Sequence, residues 1–240
     1  MKRPSAVALI LISTVAFGQS GQATNRSDEA AVAARIDAMC PEAQREFAEL
    51  QAHVKKPQVL TTPSRPALRE DLLLMARQDQ AVRAFLLTSG LHFVPDGADA
   101  VRMREVDSAN LRRLKHIVNQ EGFPTAAMVG LDGVDAAWLL AVHAAGDPDF
   151  QENVLALTIG HVRRGEIPGE QIALLTDDLL AGRGKPQRYG TNFEMRDGVL
   201  MPTPMEDEKN VEKLRRAVGL GTLANYACVL RAMYEYSEGR

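Results

Sequence analysis

Residues 136–151, Ala-Ala-Trp-Leu-Leu-Ala-Val-His-Ala-Ala-Gly-Asp-Pro-Asp-Phe-Gln, decide how this chain is read. Between Val134 and Ala145 the only ionisable side chains are Asp135 and His143, so a helix here is apolar around nearly its whole circumference. Such a helix belongs in an interior. It carries His143 inside the protein or onto the wall of a pocket, where an imidazole needs hydrogen-bond partners. Gly146 is expected to end the helix, and Asp147-Pro148 reads as the N-cap and first-turn proline of the next. The segment is thus a helix, a corner and a second helix, with a histidine one turn from the corner.

At the N-terminus, Lys2 and Arg3 precede an apolar run from Ala6 to Phe17, and Gly21-Gln22-Ala23 offers small residues for cleavage. Residues 1–23 read as a secretory signal peptide. The run is too short to span a bilayer, so no stable membrane insertion is expected after cleavage. The expected destination is the periplasm or the medium. Loss of Lys2 and Arg3 takes the formal net charge from −3 to −5. The Arg112-Arg113-Lys115, Arg163-Arg164 and Arg215-Arg216 clusters fall in the second halves of helices, where cations favour the helix dipole, so no nucleic-acid footprint is present. The two cysteines, Cys40 and Cys228, can pair in an oxidising compartment; two buried free thiols would look the same in sequence.

Residues 24–66 read as an N-terminal helical arm, broken at Pro41, and a Pro-rich linker over 57–66. Residues 67–240 read as one mainly helical domain. In the helix expected over 67–88, Leu68, Leu72, Met75, Val82 and Leu86 form one stripe, and Asp79 occupies the position that completes it. The stripe predicts burial of that acid; the alternative is a surface ion pair with Arg83 at i,i+4. Further helices are expected over about 108–121, 148–165, 169–181, 207–218 and 222–237, with a Leu-Asp-Gly turn at 131–133 and an irregular stretch up to Asp107, which can cap the first of these helices. Alternation of Tyr189, Thr191, Phe193 and Met195, a turn at Arg196-Asp197-Gly198 and a return at Val199–Met201 predict one small β-hairpin.

The succession His143-Ala144 with Asp147 to Gln151, then Leu175-Thr176-Asp177, then Pro186-Gln187-Arg188-Tyr189-Gly190-Thr191, resembles an uncharacterised bacterial family of unknown function over about residues 70–235. Its most specific element is PQ-x-YGT. The resemblance implies shared architecture and brings no known reaction. It also expects Asp, Arg and Gln at three positions where this chain has Ala145, Asp178 and Asn192.

Were His143, Asp177, Asp79, Gln187 and Tyr189 to converge, they would supply a base, an orienting carboxylate and neutral hydrogen-bonding groups. In that arrangement His143 carries the proton and Asp177 or Asp79 orients it, while Gln187, Tyr189, Thr191 and Gln151 contact a ligand. No metal site is expected, because Gly146 and Pro148 separate His143 from Asp147 and no other His or Cys stands at ligand spacing. No phosphate loop or nucleophile motif occurs, and no cofactor is expected. Two functions follow: an exported module binding a small molecule, peptide or envelope component, or a small cofactor-independent hydrolase or lyase using His143 as general acid/base.

Overall fold

The computed structural model describes residues 23–53, 62–88, 97–196 and 199–238. The expected signal peptide lies outside them except for Ala23, as do the first half of the Pro-rich linker (57–61) and the Asp197-Gly198 turn. The described chain is mainly α, with helices α1 (Ala23–Met39), α2 (Pro41–His53), α3 (Pro66–Thr88), α4 (Ala98–Glu121), α5 (Ala126–Val142), α6 (Pro148–Arg164), α7 (Gly169–Gly182), α8 (Val211–Ala217) and α9 (Leu223–Glu238). Strands β1 (Phe193–Arg196) and β2 (Val199–Pro202) form one antiparallel hairpin, with Phe193 opposite Pro202 and Arg196 opposite Val199. Among the described residues no helix is long and apolar enough to cross a membrane.

The chain divides into two compact units, one from the described residues of Lys55–Pro168, the other from those of Met1–Val54 and Gly169–Arg240. In the first, α5 is the central element and lies against α3, α4 and α6. Val134, Ala136, Ala137 and Ala141 are fully buried, as the apolar circumference of this helix requires. Leu72 of α3 and Leu114 of α4 are also fully buried, each contributing about 2 kcal/mol of hydrophobic stabilisation. Asp79 follows Leu68, Leu72 and Met75 on the inward stripe of α3 and is buried with them.

Three boundaries differ from expectation. The chain does not turn at Leu131-Asp132-Gly133; instead α5 is kinked at Gly130, whose φ of 74° lies in the left-handed region that glycine tolerates. At its other end α5 stops at Val142, before Gly146, and His143 is the C-cap residue. The reason is local: the Gln151 side-chain amide donates to the carbonyls of Ala141 and Val142, satisfying acceptors that a further helical turn would have used. Asp147 caps α6 as expected, accepting from the Phe150 N–H at 3.0 Å. α4 begins at Ala98, well before Asp107, which lies within the helix instead of capping it.

In the second unit α9 packs against α1, α2 and β2. A disulfide joins Cys40, at the break between α1 and α2, to Cys228 of α9. Glu46 of α2 adds a polar tie: its carboxylate accepts from the Thr222 N–H and hydroxyl and from the Asn225 amide, capping the start of α9. The arm therefore belongs to the same compact unit as the C-terminal helix.

Candidate functional site

α3 and α5 together set the surroundings of His143. Its Nδ1 lies 2.8 and 2.9 Å from the two carboxylate oxygens of Asp79. A carboxylate only accepts, so Nδ1 carries a proton and donates it, which in the neutral ring leaves the lone pair on Nε2. Nε2 is buried and has no hydrogen-bond partner among the described residues. Asp79 is shared: Arg83, one turn along α3, donates to Oδ1 at 2.7 Å, and Gln80 donates to Oδ2 at 3.0 Å. The Asp79 and Arg83 pair anticipated at i,i+4 is made, but inside the protein, the two side chains being 0% and 6% exposed. Arg83 reaches on to Asp107 of α4 at 2.6 Å. Burial pushes the Asp107 carboxyl up in pKa, and the Arg83 charge opposes that shift. The result is a connected row of polar side chains, Asp107, Arg83, Asp79 and His143, carried by three helices of one unit.

Asp177 serves a different structure in the other unit. Its Oδ1 accepts from the N–H groups of Arg188 and Tyr189, and its Oδ2 from the N–H of Thr191 and the Thr191 hydroxyl, all between 2.7 and 3.0 Å. This fully buried carboxylate on α7 winds residues 188–191 around itself. The strand expected from the alternation beginning at Tyr189 therefore starts only at Phe193, because N–H groups that would form its ladder are taken by Asp177.

Gln187 completes the same loop. Its amide nitrogen donates to the carbonyls of Asn192 and Thr203, and its Oε1 accepts the Asn192 N–H. Gly190 sits at φ 69°, and a Cβ there would lie 2.8 Å from Leu223, so only glycine passes. Tyr189 is half-buried, and its carbonyl accepts from Arg215 Nη1 at 2.6 Å. The PQ-x-YGT element thus has a local physical meaning: Gln187, Gly190 and Thr191 fold a loop around an acid on the preceding helix.

The expected residues accordingly fall into two groups. Asp79 and His143 are brought together in one unit, where Gln151 caps α5. Asp177, Gln187, Tyr189 and Thr191 are brought together in the other. Asp107, Arg215 and Tyr226 are not among the site candidates that the sequence singles out, because sequence spacing carries no sign of long-range polar partners. Among the described residues no group of three His, Cys, Asp or Glu could hold a metal ion.

No curated protein and no solved structure matches the chain. Residues 66–237 match a family described as a family of unknown function (DUF6624), covering α3 through nearly all of α9 and leaving out the arm. The chain belongs to that family.

Proposed function

We propose that this is an exported ligand-binding domain in which His143 Nε2 accepts a hydrogen bond from a hydroxyl or amine of a small polar molecule, a peptide or an envelope component. One observation carries the reading. The imidazole is fixed on its Nδ1 side by Asp79, while Nε2 is buried with no partner among the described residues. Leaving such an atom unsatisfied costs about 1–3 kcal/mol, and a ligand donor would relieve that cost. The disulfide supports export, since such bonds persist in oxidising compartments.

A second reading rests on the same carboxylate contact. A histidine oriented through Nδ1 by a buried acid is arranged as a general acid/base, and a cofactor-independent hydrolase or lyase could use it so. Carbethoxylation of the native protein separates the two, with the exposed His116 as internal reference. A His143 that stays unmodified while His116 reacts, and whose Nε2 resonance shifts with fragments of a hydroxyl- and amine-bearing library, supports binding. Reaction at a rate comparable to His116 favours acid–base chemistry. A His143 that is inert to the reagent and to every fragment overturns both.

A further inference from the structure

Four polar side chains of the second unit end in buried atoms with no hydrogen-bond partner among the described residues: Arg215 Nη2, Tyr226 Oη, Asp178 Oδ1 and Asn192 Nδ2. They belong to one neighbourhood. The Arg215 guanidinium lies over the Tyr226 ring, 4.9 Å from its centroid. Phe193, next to Asn192, packs against the same ring at 5.9 Å. The Asn192 carboxamide lies beside the Asp178 carboxyl and lowers its pKa, against the rise that burial causes. Asp178 and Asn192 are also two of the three positions at which the resemblance expects other residues.

Arg215 is the unusual member. It is fully buried, yet Nε and Nη1 are spent on carbonyls of Gly221, Tyr189 and Gly190, and no carboxylate forms an ion pair with it among the described residues. A buried cation held only by carbonyls, with one nitrogen free, is poised for an anion. Tyr226 and Asn192 add two neutral donors. Asp178, Asn192 and Tyr226 are each only partly buried as residues, so the group extends towards the surface although its polar atoms are covered.

We infer that Arg215, Tyr226 and Asn192 form a binding site for a small monocarboxylate, with Asp178 reading a hydroxyl or amine beside the bound carboxylate. The charge balance selects a monoanion. One guanidinium faces a neighbourhood that already holds Asp177 and Asp178, so phosphate or sulfate dianions are disfavoured. Burial pushes the Asp178 carboxyl up to about 7, which further weakens its repulsion of a monoanion. The site lies in a different unit from His143 and does not depend on the function proposed for that residue.

The test uses the full disulfide-bonded chain, with formate, acetate and lactate as probes and chloride and sulfate at matched ionic strength as references. Thermal unfolding and calorimetric titration supply the readouts. The carboxylates should raise the melting temperature where chloride and sulfate do not. Arg215 also holds the loop, so the discriminating variants are Tyr226→Phe and Asn192→Ala, which remove unsatisfied atoms. Each should leave the unliganded protein as stable as before or more so, and weaken carboxylate binding about tenfold. Three results would overturn the inference: no stabilisation by any of the three carboxylates, equal stabilisation by sulfate, or a Tyr226→Phe protein that is destabilised without ligand yet binds normally. The last would assign the tyrosine hydroxyl to a buried water or other structural partner.

Discussion

The Asp79 carboxylate and the His143 imidazole meet at 2.8 Å across α3 and α5, with Asp79 fully buried and also bound by Arg83. One buried acid therefore answers two partners; its removal leaves His143 Nδ1 without an acceptor, while Arg83 keeps Asp107 and the backbone carbonyl of residue 79. Asp79→Ala should cost about 3 kcal/mol, the low end for breaking a buried ion pair, because Asp107 still compensates Arg83. His143→Gln should cost only about 1–2 kcal/mol, since Arg83 and Gln80 still satisfy Asp79. Urea denaturation of the two variants checks the order; equal losses would show that Arg83 does not depend on Asp79.

Asp177 organises the loop over residues 188–191. Asp177→Ala strips acceptors from three backbone N–H groups and the Thr191 hydroxyl, and should destabilise the protein by about 3 kcal/mol or more. Thr191→Val removes only the hydroxyl bond and should cost about 1 kcal/mol. Amide hydrogen exchange at residues 188–191 gives the local readout: it should accelerate strongly in Asp177→Ala and little in Thr191→Val.

Gln151 holds the end of the buried helix. Gln151→Ala should cost about 1–3 kcal/mol, because the Val142 carbonyl loses its side-chain donor and the Ala141 carbonyl keeps only backbone N–H contacts. Gln151→Glu should be worse than Ala, since a carboxylate faces those carbonyls with no proton to donate. Thermal unfolding at neutral pH separates the two.

Burial raises the Asp178 carboxyl to about 7, with Asp177 adding to the rise and Asn192 opposing it. A raised carboxyl pKa means that the folded state holds its proton where the unfolded chain has released it. This group thus destabilises the fold progressively as pH climbs from about 4 to about 7, by up to on the order of 4 kcal/mol above that window. Asp178→Asn should therefore gain stability relative to the parent at pH 8 and gain nothing at pH 4. Denaturation of both proteins at the two pH values isolates this group from others that titrate; a difference independent of pH would contradict the assignment.

The disulfide closes a sequence separation of 188 residues. In the chain-entropy description, opening it costs on the order of 5 kcal/mol. The Cys40→Ser, Cys228→Ser pair of substitutions, or reduction, should lower the unfolding midpoint accordingly. Proteolysis should then cut α1 and α2 before the rest, because Glu46 would be among the remaining ties to α9.

What could be read without coordinates was whatever depends on neighbours in sequence. The nearly all-apolar circumference of residues 134–142 announced a buried helix, Asp147-Pro148 announced a capped start for α6, and the stripe through Leu68, Leu72 and Met75 announced the burial of Asp79. The helical class and the hairpin followed from periodicity. Misreadings arose where a side chain from elsewhere satisfied the backbone. Gln151 ended α5 before Gly146, and Asp177 took the N–H groups from which a longer strand had been expected.

The sequence by itself determined which segments are helical, which faces are apolar and that His143 and Asp79 face inward, because these follow from residue spacing along one element. Only the tertiary structure decided which acid serves which partner. It gave Asp79 to His143 and Arg83, Asp177 to the 188–191 loop, and left Arg215 buried among carbonyls. Hydrogen bonds between residues far apart in the chain depend on how helices are brought together, and residue spacing within one helix does not encode that.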